Sequence, residues 1–182
     1  FRITTEKALQ EFLRQVRTGA TGSRLVLRHE KYSALARVNK EGIFIVPGKV
    51  DEYSRDLKVW DWPCEERVVT ESDLEITSIQ VIGGGVSIEA LGNYSLELRW
   101  KRGNIRVRPA HADHRTRSLR VLLQEMRIPS WERARIPMVY VCDQFVCMPG
   151  VVTEAKFAAA KNQPGVDFLL RDLRGFQGSG EF

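Results

Sequence analysis

The residues with the clearest chemical signature are arginines concentrated in one stretch of the chain. Between Arg99 and Arg135 there are ten arginines and one lysine against three acidic residues, a net charge of +8. The whole chain of 182 residues carries only +5, so the remainder sums to −3. A basic face on an otherwise acidic body produces a directional field that orients a polyanion during its approach. Because the guanidinium group binds phosphate in a bidentate manner and stacks on bases, this composition indicates a nucleic-acid partner.

The middle of this stretch is predicted to form an amphipathic helix. Four apolar residues fall at i, i+3, i+4 and i+7 and make one face, while the arginines and Gln124 lie on a separate arc. The apolar residues are Leu119, Leu122, Leu123 and Met126. Ser118 occupies the N-cap position, and Pro129 ends the helix shortly after Arg127. A solvated surface helix would show the same pattern, so the helix alone does not establish a binding face.

The candidate nucleic-acid contacts are arginines of this segment and its neighbouring turn, together with one tryptophan. Backbone N–H groups at the predicted helix start, Thr116 to Arg120, would add donors for a phosphate. The Pro-Ser-Trp setting of Trp131 favours a core position over stacking on a base. The candidate RNA-binding residues are Arg108, Arg115, Arg117, Arg120, Arg127, Trp131, Arg133 and Arg135.

The pattern along the chain predicts an α+β fold with two parts. Residues 1–62 are predicted as a small unit in which a helix capped by Thr4 precedes short strands, and residues 63–182 as a strand-rich α+β domain that carries the basic surface helix. The polar segment Pro47 to Asp56 contains Pro and Gly and is predicted as a linker. Gly83 to Gly85 is predicted as a hairpin turn. The strands predicted in the second part are Ile76–Ile82, Val86–Leu91, Ser95–Trp100, Ile105–Arg108 and a hairpin over Met138–Val146.

Several other kinds of site are not expected in this chain. The inventory of His111, His114, Cys142 and Cys147 would suit zinc, but the two cysteines lie five positions apart on predicted strands and so point to opposite faces. The pair Glu65-Glu66 is predicted to be a solvated turn, and no nucleophilic triad or phosphate-cradling loop is present. No apolar run approaches the ~20 residues of a membrane span, and we expect a cytoplasmic protein. We therefore expect no catalytic site, metal or cofactor in this chain.

A long ordered motif runs from Arg117 to Val151. It begins with a basic residue, a small residue and Leu-Arg, continues with a Gln-Glu pair and an Ile-Pro-x-Trp-x-Arg segment, and closes with an apolar strand and Pro-Gly-Val. The residues that carry it are Arg117, Ser118, Leu119, Arg120, Gln124, Glu125, Ile128, Pro129, Trp131, Arg133, Pro137 and Pro149 to Val151. This motif resembles the C-terminal domain of the tRNA(Ile)-lysidine synthetase family. Upstream, TTEKALQEFLRQV followed by RLVLRHEKYSALARVNKEGIFIV is similar, more weakly, to the end of the family's middle, substrate-recognition domain.

The resemblance implies a parent enzyme that activates the wobble cytidine of an isoleucine tRNA with ATP and joins lysine to it. ATP and Mg²⁺ would be held by an N-terminal domain with a Ser-Gly-Gly-x-Asp-Ser loop, which this sequence lacks, so we expect the chain to be the C-terminal part and inactive alone. The resemblance also implies that this part holds the acceptor stem and body of the tRNA, with homodimerisation through the full-length enzyme as a further expectation. Two alternatives stay open from the residues: a free-standing RNA- or DNA-binding module, and a structural or protein-interaction domain whose arginines pair with carboxylates.

Overall fold

The computed structural model describes residues 2–3, 6–18, 24–29, 32–39, 42–47, 57–100, 103–110 and 115–173. The chain divides into two compact units, Phe1–Tyr53 and Ser54–Phe182. The division lies inside the predicted linker and earlier than the predicted boundary at residue 62, because the strand Lys58–Trp60 pairs within the second unit. The predicted α+β class is confirmed.

The first unit consists of one helix and a four-stranded antiparallel sheet. Its elements are β1 (Arg2–Ile3), α1 (Glu6–Arg17), β2 (Arg24–His29), β3 (Tyr32–Asn39) and β4 (Gly42–Pro47), with sheet order β1-β2-β3-β4. Phe12 of α1 is buried against Leu25, Ala36 and Val38, so the helix covers one face of the sheet. The predicted cap Thr4 lies outside the described residues.

The second unit is built mainly of strands. Its elements are β5 (Lys58–Trp60), β6 (Arg67–Val69), β7 (Leu74–Ile82), β8 (Val86–Ser87), α2 (Ile88–Leu91), β9 (Leu96–Arg99), β10 (Arg106–Val107), β11 (Arg117–Ser118), α3 (Leu119–Glu125), α4 (Ser130–Arg133), β12 (Met138–Val141), β13 (Gln144–Met148), β14 (Val152–Thr153) and β15 (Pro164–Asp172). A five-stranded sheet has the order β14-β13-β12-β9-β5, a four-stranded sheet the order β6-β7-β15-β8, and β10 and β11 form a separate ribbon.

The two larger sheets of the second unit share one hydrophobic core. Trp60 of β5 and Phe168 of β15 come from different sheets, and their ring centroids lie 5.4 Å apart. Both belong to a buried cluster that also includes Leu98 of β9 and Ile76 of β7. Trp60 and Trp62 are both buried, so they pack in the core and are not available to stack on a base.

Two predictions for the four-stranded sheet are wrong. The segment Val86–Leu91 is a two-residue strand followed by the short helix α2, in which the Ser87 hydroxyl accepts a hydrogen bond of 3.2 Å from the Ala90 N–H. The glycine turn does not join paired neighbours, because β15 lies between β7 and β8. Instead, the glycine turn crosses over β15 at Gly165. A Cβ atom on Gly165 would lie 2.1 Å from the Gly84 carbonyl oxygen. This close approach requires glycine at position 165.

The basic helix α3 packs on a second cluster of the same unit. Leu119 and Leu123 are buried there with Ile136 and Met138, as the helical pattern predicts. The remainder of the predicted apolar face is only partly correct, because Leu122 is half-buried and Met126 is exposed. Met126 is exposed because the helix spans only seven residues and ends at Glu125, one residue before it.

One of the backbone donors predicted to bind phosphate at the start of α3 is already used. Ser118 is the N-cap residue, but its side chain makes no capping hydrogen bond. The N–H of Leu119 donates to the Ile105 carbonyl at 3.0 Å, so it is not available to a ligand. The ribbon β10–β11, in which Arg106 lies opposite Ser118, leads the chain directly into the helix.

Arg135 was predicted to contact RNA, and the structure corrects this because its side chain is fully buried. Its guanidinium donates to both carboxylate oxygens of Asp172, at 2.9 and 3.2 Å, and to Glu132 at 2.8 Å. It also donates to the Ser72 carbonyl at 2.7 Å. The Arg135 carbonyl in turn accepts a hydrogen bond of 2.9 Å from the Trp100 indole. Arg135 therefore joins the segment after α4 to the end of β15 and to the turn before β7.

We expect Arg135→Ala to lower the free energy of unfolding by about 2 kcal/mol or more, because it removes a fully buried side chain and its four charge-assisted hydrogen bonds. Chemical denaturation measures this change. The matched control is Arg106→Ala, an exposed arginine whose loss should alter stability by no more than about 0.5 kcal/mol. Equal stability of the two variants would show that the Arg135 contacts do not hold the fold.

Candidate nucleic-acid interface

Six arginines surround α3 with side chains that reach solvent, and we call them the arginine surface. They are Arg106, Arg108, Arg117, Arg120, Arg127 and Arg133. On β10 and just after it, Arg106 and Arg108 are exposed on either side of the fully buried Val107. Because side chains alternate along a strand, burial of Val107 fixes both arginines on the opposite face. The main chain of Arg108 is held as well, since its N–H donates to the Glu154 carboxylate at 3.0 Å.

Arg120 and Arg133 bring two positive charges close together. Arg133, on α4, is half-buried, and its Nε donates to the Ile128 carbonyl at 2.5 Å, which fixes the guanidinium. Burial, followed by the positive charge of Arg120, lowers the pKa of Arg133. Within the described part of the chain, neither side chain forms an ion pair with a carboxylate. Like charges held in this way repel each other, and a bound anion would relieve the repulsion.

The carboxylate nearest to Arg133 in sequence, Glu132, pairs with Arg135 at 2.8 Å. Asp172 is also bound to Arg135. These two carboxylates therefore pair with a buried arginine, and neither forms a described ion pair with a member of the arginine surface.

Arg127 lies just beyond the end of α3 in a left-handed backbone conformation, with φ of +56°. Its N–H donates to the Gln124 carbonyl at 3.0 Å, and the next N–H, of Ile128, donates to the Leu123 carbonyl at 3.2 Å. These two bonds and the packing of Ile128 on Leu123 form a Schellman motif, whose left-handed position is usually glycine. The side chain of Arg127 is exposed and, among the described residues, forms no ion pair.

Arg117 differs from the other members of the arginine surface because it has a carboxylate partner. Its guanidinium lies 2.9 Å from the Glu125 carboxylate, and both side chains are substantially exposed. An exposed pair of this kind contributes little to stability, so the guanidinium can exchange Glu125 for a phosphate at small cost.

Arg115 and Trp131 are the remaining candidates, and the structure describes them in less detail. Arg115 is exposed. Trp131 belongs to α4, but its side chain lies outside the described part of the chain, so its predicted core position stays a prediction. The sequence reasoning missed Arg106, although the alternation Arg106-Val107-Arg108 in a predicted strand was the signal that could have identified it.

Arg99, at the start of the basic stretch, is engaged in structural contacts. Its guanidinium pairs with Glu97 and with Asp143, the latter at 2.5 Å, and lies 4.5 Å from the centre of the Tyr140 ring. The two carboxylates, Asp143 first, raise the pKa of Arg99. Net charge along the sequence therefore overstates the charge available to a ligand.

The potential zinc ligands are only partly described. Cys142 is exposed in the turn between β12 and β13, whereas Cys147 is buried on β13, where burial raises the pKa of its thiol. His111 and His114 lie outside the described residues. Among the residues described, no three His, Cys, Asp or Glu side chains are grouped closely enough to hold a metal ion. In the same part of the chain, no helix has the length and apolar character needed to cross a membrane.

The comparisons with known proteins concern mainly the second unit. A family profile described as the TilS substrate C-terminal domain matches residues 96–170, which include β9, the arginine surface and most of β15. A solved structure described as the TilS C-terminal domain aligns with a TM-score of 0.51 and 19% identity, covering 65% of this chain and 98% of that one. At this identity the alignment establishes the shared fold.

Curated relatives match over a similar length of chain. The tRNA(Ile)-lysidine synthase of Shewanella woodyi is 35% identical over 68 residues, which are 37% of this chain and 14% of the relative. The protein of the same name from Coxiella burnetii is 33% identical over 67 residues, covering 36% and 15%. The matches thus span about one seventh of the length of these relatives. Residues 96–170 are therefore similar in sequence to the C-terminal domain of tRNA(Ile)-lysidine synthases, and the second unit shares the fold of that domain.

Proposed function

We propose that this chain binds an isoleucine tRNA through the arginine surface, as the C-terminal region of a tRNA(Ile)-lysidine synthase. The observation that carries the proposal is a set of exposed arginines beside α3 that form no ion pair with a carboxylate among the described residues: Arg106, Arg108, Arg120 and Arg127. A structural role for an arginine is usually marked by an acidic partner, as it is for Arg135. Phosphate groups would supply the missing anionic partners and use the bidentate geometry of arginine.

The proposed mode of binding follows from the shape of double-stranded RNA. An A-form stem has a deep, narrow major groove that side chains cannot read, so proteins bind it through phosphates, 2′-hydroxyls and shape. Arginines fixed on short, packed elements suit this task because their spacing is set before binding. Arg106 and Arg108 are fixed by the burial of Val107, and Arg133 by its bond to the Ile128 carbonyl. We infer that these positions follow successive phosphates of the acceptor stem.

We further propose the part that this region plays in the whole protein. The whole enzyme would use ATP and Mg²⁺, held in another domain, to join lysine to the wobble cytidine in the cytoplasm, while this region holds the tRNA. The predicted role of the first unit, as the end of a middle domain that orients the tRNA body, belongs to the same proposal.

Salt dependence tests the proposed phosphate contacts. If about five phosphates are neutralised, log K for tRNA binding should fall with log[salt] at a slope of about −4 to −5, on the basis of ~0.9 per contact in a duplex. The double variant Arg120→Ala/Arg127→Ala should weaken binding and reduce the slope by about 2. Fluorescence anisotropy across a salt series measures both quantities.

Arg67→Ala is the matched control, because Arg67 is an exposed arginine on β6 that pairs with Glu75 at 3.3 Å. It should bind tRNA as the unmodified chain does. A double variant with the same slope as the unmodified chain would refute the arginine surface. Equal affinity for a length-matched RNA duplex would favour the free-standing binding module, and no binding at low salt would favour the protein-interaction domain.

Arg127→Gly should separate binding from stability. Glycine adopts the left-handed conformation without strain, so we expect the free energy of unfolding to rise by about 1 kcal/mol. Loss of the exposed charge should at the same time weaken tRNA binding. Arg127→Lys, which keeps the charge, should leave both properties close to those of the unmodified chain. A glycine variant that binds tRNA with unchanged affinity would place Arg127 outside the interface.

A further inference from the structure

The strand β15 has an open edge along its second half. On one side it pairs with β7 over its whole length, from Pro164 opposite Ile82 to Asp172 opposite Leu74. On the other side β8 pairs only with Gly165 and Val166. No described strand pairs with this second side from residue 167 onward.

The hydrogen bonds at the two ends of β15 show which main-chain groups face the open edge. The Gln163 carbonyl accepts from Gly83 at 2.9 Å, and the Leu173 N–H donates to Asp73 at 2.8 Å; both partners flank β7. Since main-chain groups alternate between the two sides of a strand, the odd-numbered residues face β7. The N–H and C=O groups of Phe168 and Leu170 therefore point to the open edge. Among the described residues these groups have no hydrogen-bond partner.

The side chains beside this edge are arranged symmetrically about Leu169. Phe168 and Leu170 belong to the core face, whereas Asp167, Leu169 and Arg171 share the outer face of the sheet. Leu169 is 51% exposed. Neither Asp167 nor Arg171 forms an ion pair within the described part of the chain. The outer face thus presents an acidic, an apolar and a basic side chain in order.

We propose that β15 pairs antiparallel with β15 of a second copy of this chain, centred on Leu169. In this register Phe168 of each copy lies opposite Leu170 of the other, and their free N–H and C=O groups complete four hydrogen bonds. Leu169 meets its own counterpart as a pair without hydrogen bonds, in which side chains approach most closely.

Charge complementarity selects a second copy as the occupant. In the antiparallel register, each Asp167 lies directly opposite the Arg171 of the other copy, which gives two opposite-charge pairs on one face. A parallel arrangement in the same register would place like charges together. A cavity of about 270 Å³ separates residues 166–169 of β15 from the turn Pro149–Val151. The proposal is independent of tRNA binding because it involves no residue of the arginine surface.

Disulfide trapping tests the register. In the chain with Cys64→Ser and Cys142→Ser, which removes the exposed native thiols, Leu169→Cys should form a covalent dimer under mild oxidation. Opposed residues of a pair without hydrogen bonds have Cα atoms about 4.5 Å apart, within the range of a disulfide. Ile79→Cys is the matched control, because Ile79 is an exposed residue of the same outer face on the neighbouring strand β7. Trapping of both variants to the same extent, or of neither, would overturn the proposal.

Charge exchange tests the pairing in solution. Arg171→Asp should weaken dimerisation by tenfold or more in sedimentation analysis, because it places two acidic groups opposite each other. Lys161→Asp, the same charge change at an exposed site before β15, should not. An equimolar mixture of the Arg171→Asp and Asp167→Arg chains should associate again, since both opposite-charge pairs re-form only in the mixed dimer.

Amide hydrogen exchange tests the proposal on the unmodified chain. Its result therefore stands even if the Asp167→Arg substitution disturbs the crossing at Gly85. Exchange at Phe168 and Leu170 should slow as the concentration of the unmodified chain rises, while Leu169 and Arg171, already bonded to β7, should exchange at constant rates. Even a weak interface should form at about 100 μM, so a chain that is monomeric at this concentration would show that β15 does not pair with itself. A dimer that leaves the amides of Phe168 and Leu170 unprotected would show the same.

Discussion

The buried guanidinium of Arg135 is the interaction on which the second unit depends most. It joins three segments that are distant in sequence: the end of α4, the turn before β7 and the end of β15. Removing such a charge from water is unfavourable unless it is paired and hydrogen-bonded. Here the two terminal NH2 groups donate four hydrogen bonds to two carboxylates and a carbonyl, whereas the buried Nε has no partner among the described residues. The same contacts pair Arg135 with two carboxylates, so this arginine is not available to a ligand.

The arginines of the basic stretch therefore fall into two groups. Arg99 and Arg135 are neutralised by acidic partners and fix the fold, whereas Arg106, Arg108, Arg120 and Arg127 have no ion pair among the described residues. Arg127 also occupies a backbone position that glycine would fill with less strain. At this position the chain has a charged residue in place of the more stabilising glycine. This is the arrangement expected when binding and stability favour different residues at one position.

The sequence allowed the local features to be predicted. The start of α3 at Ser118, the burial of Leu119 and Leu123 and the exposure of Arg120 all follow from helical spacing. The sequence did not indicate which residues distant along the chain form ion pairs with these arginines. Arg133 and Arg135 lie two positions apart and look equivalent in sequence, but only Arg135 meets Asp172, whose strand, β15, the sequence patterns did not predict. The two ends of that ion pair are separated by 37 residues, so no local pattern indicates it.

The most direct test of the central claim is an NMR titration of the arginine Nε–H groups with isoleucine tRNA. The account predicts that the resonances of Arg106, Arg108, Arg120, Arg127 and Arg133 shift on binding, while that of the buried Arg135 stays in place. Shifts confined to arginines outside the arginine surface, such as Arg67 and Arg171, would contradict the account.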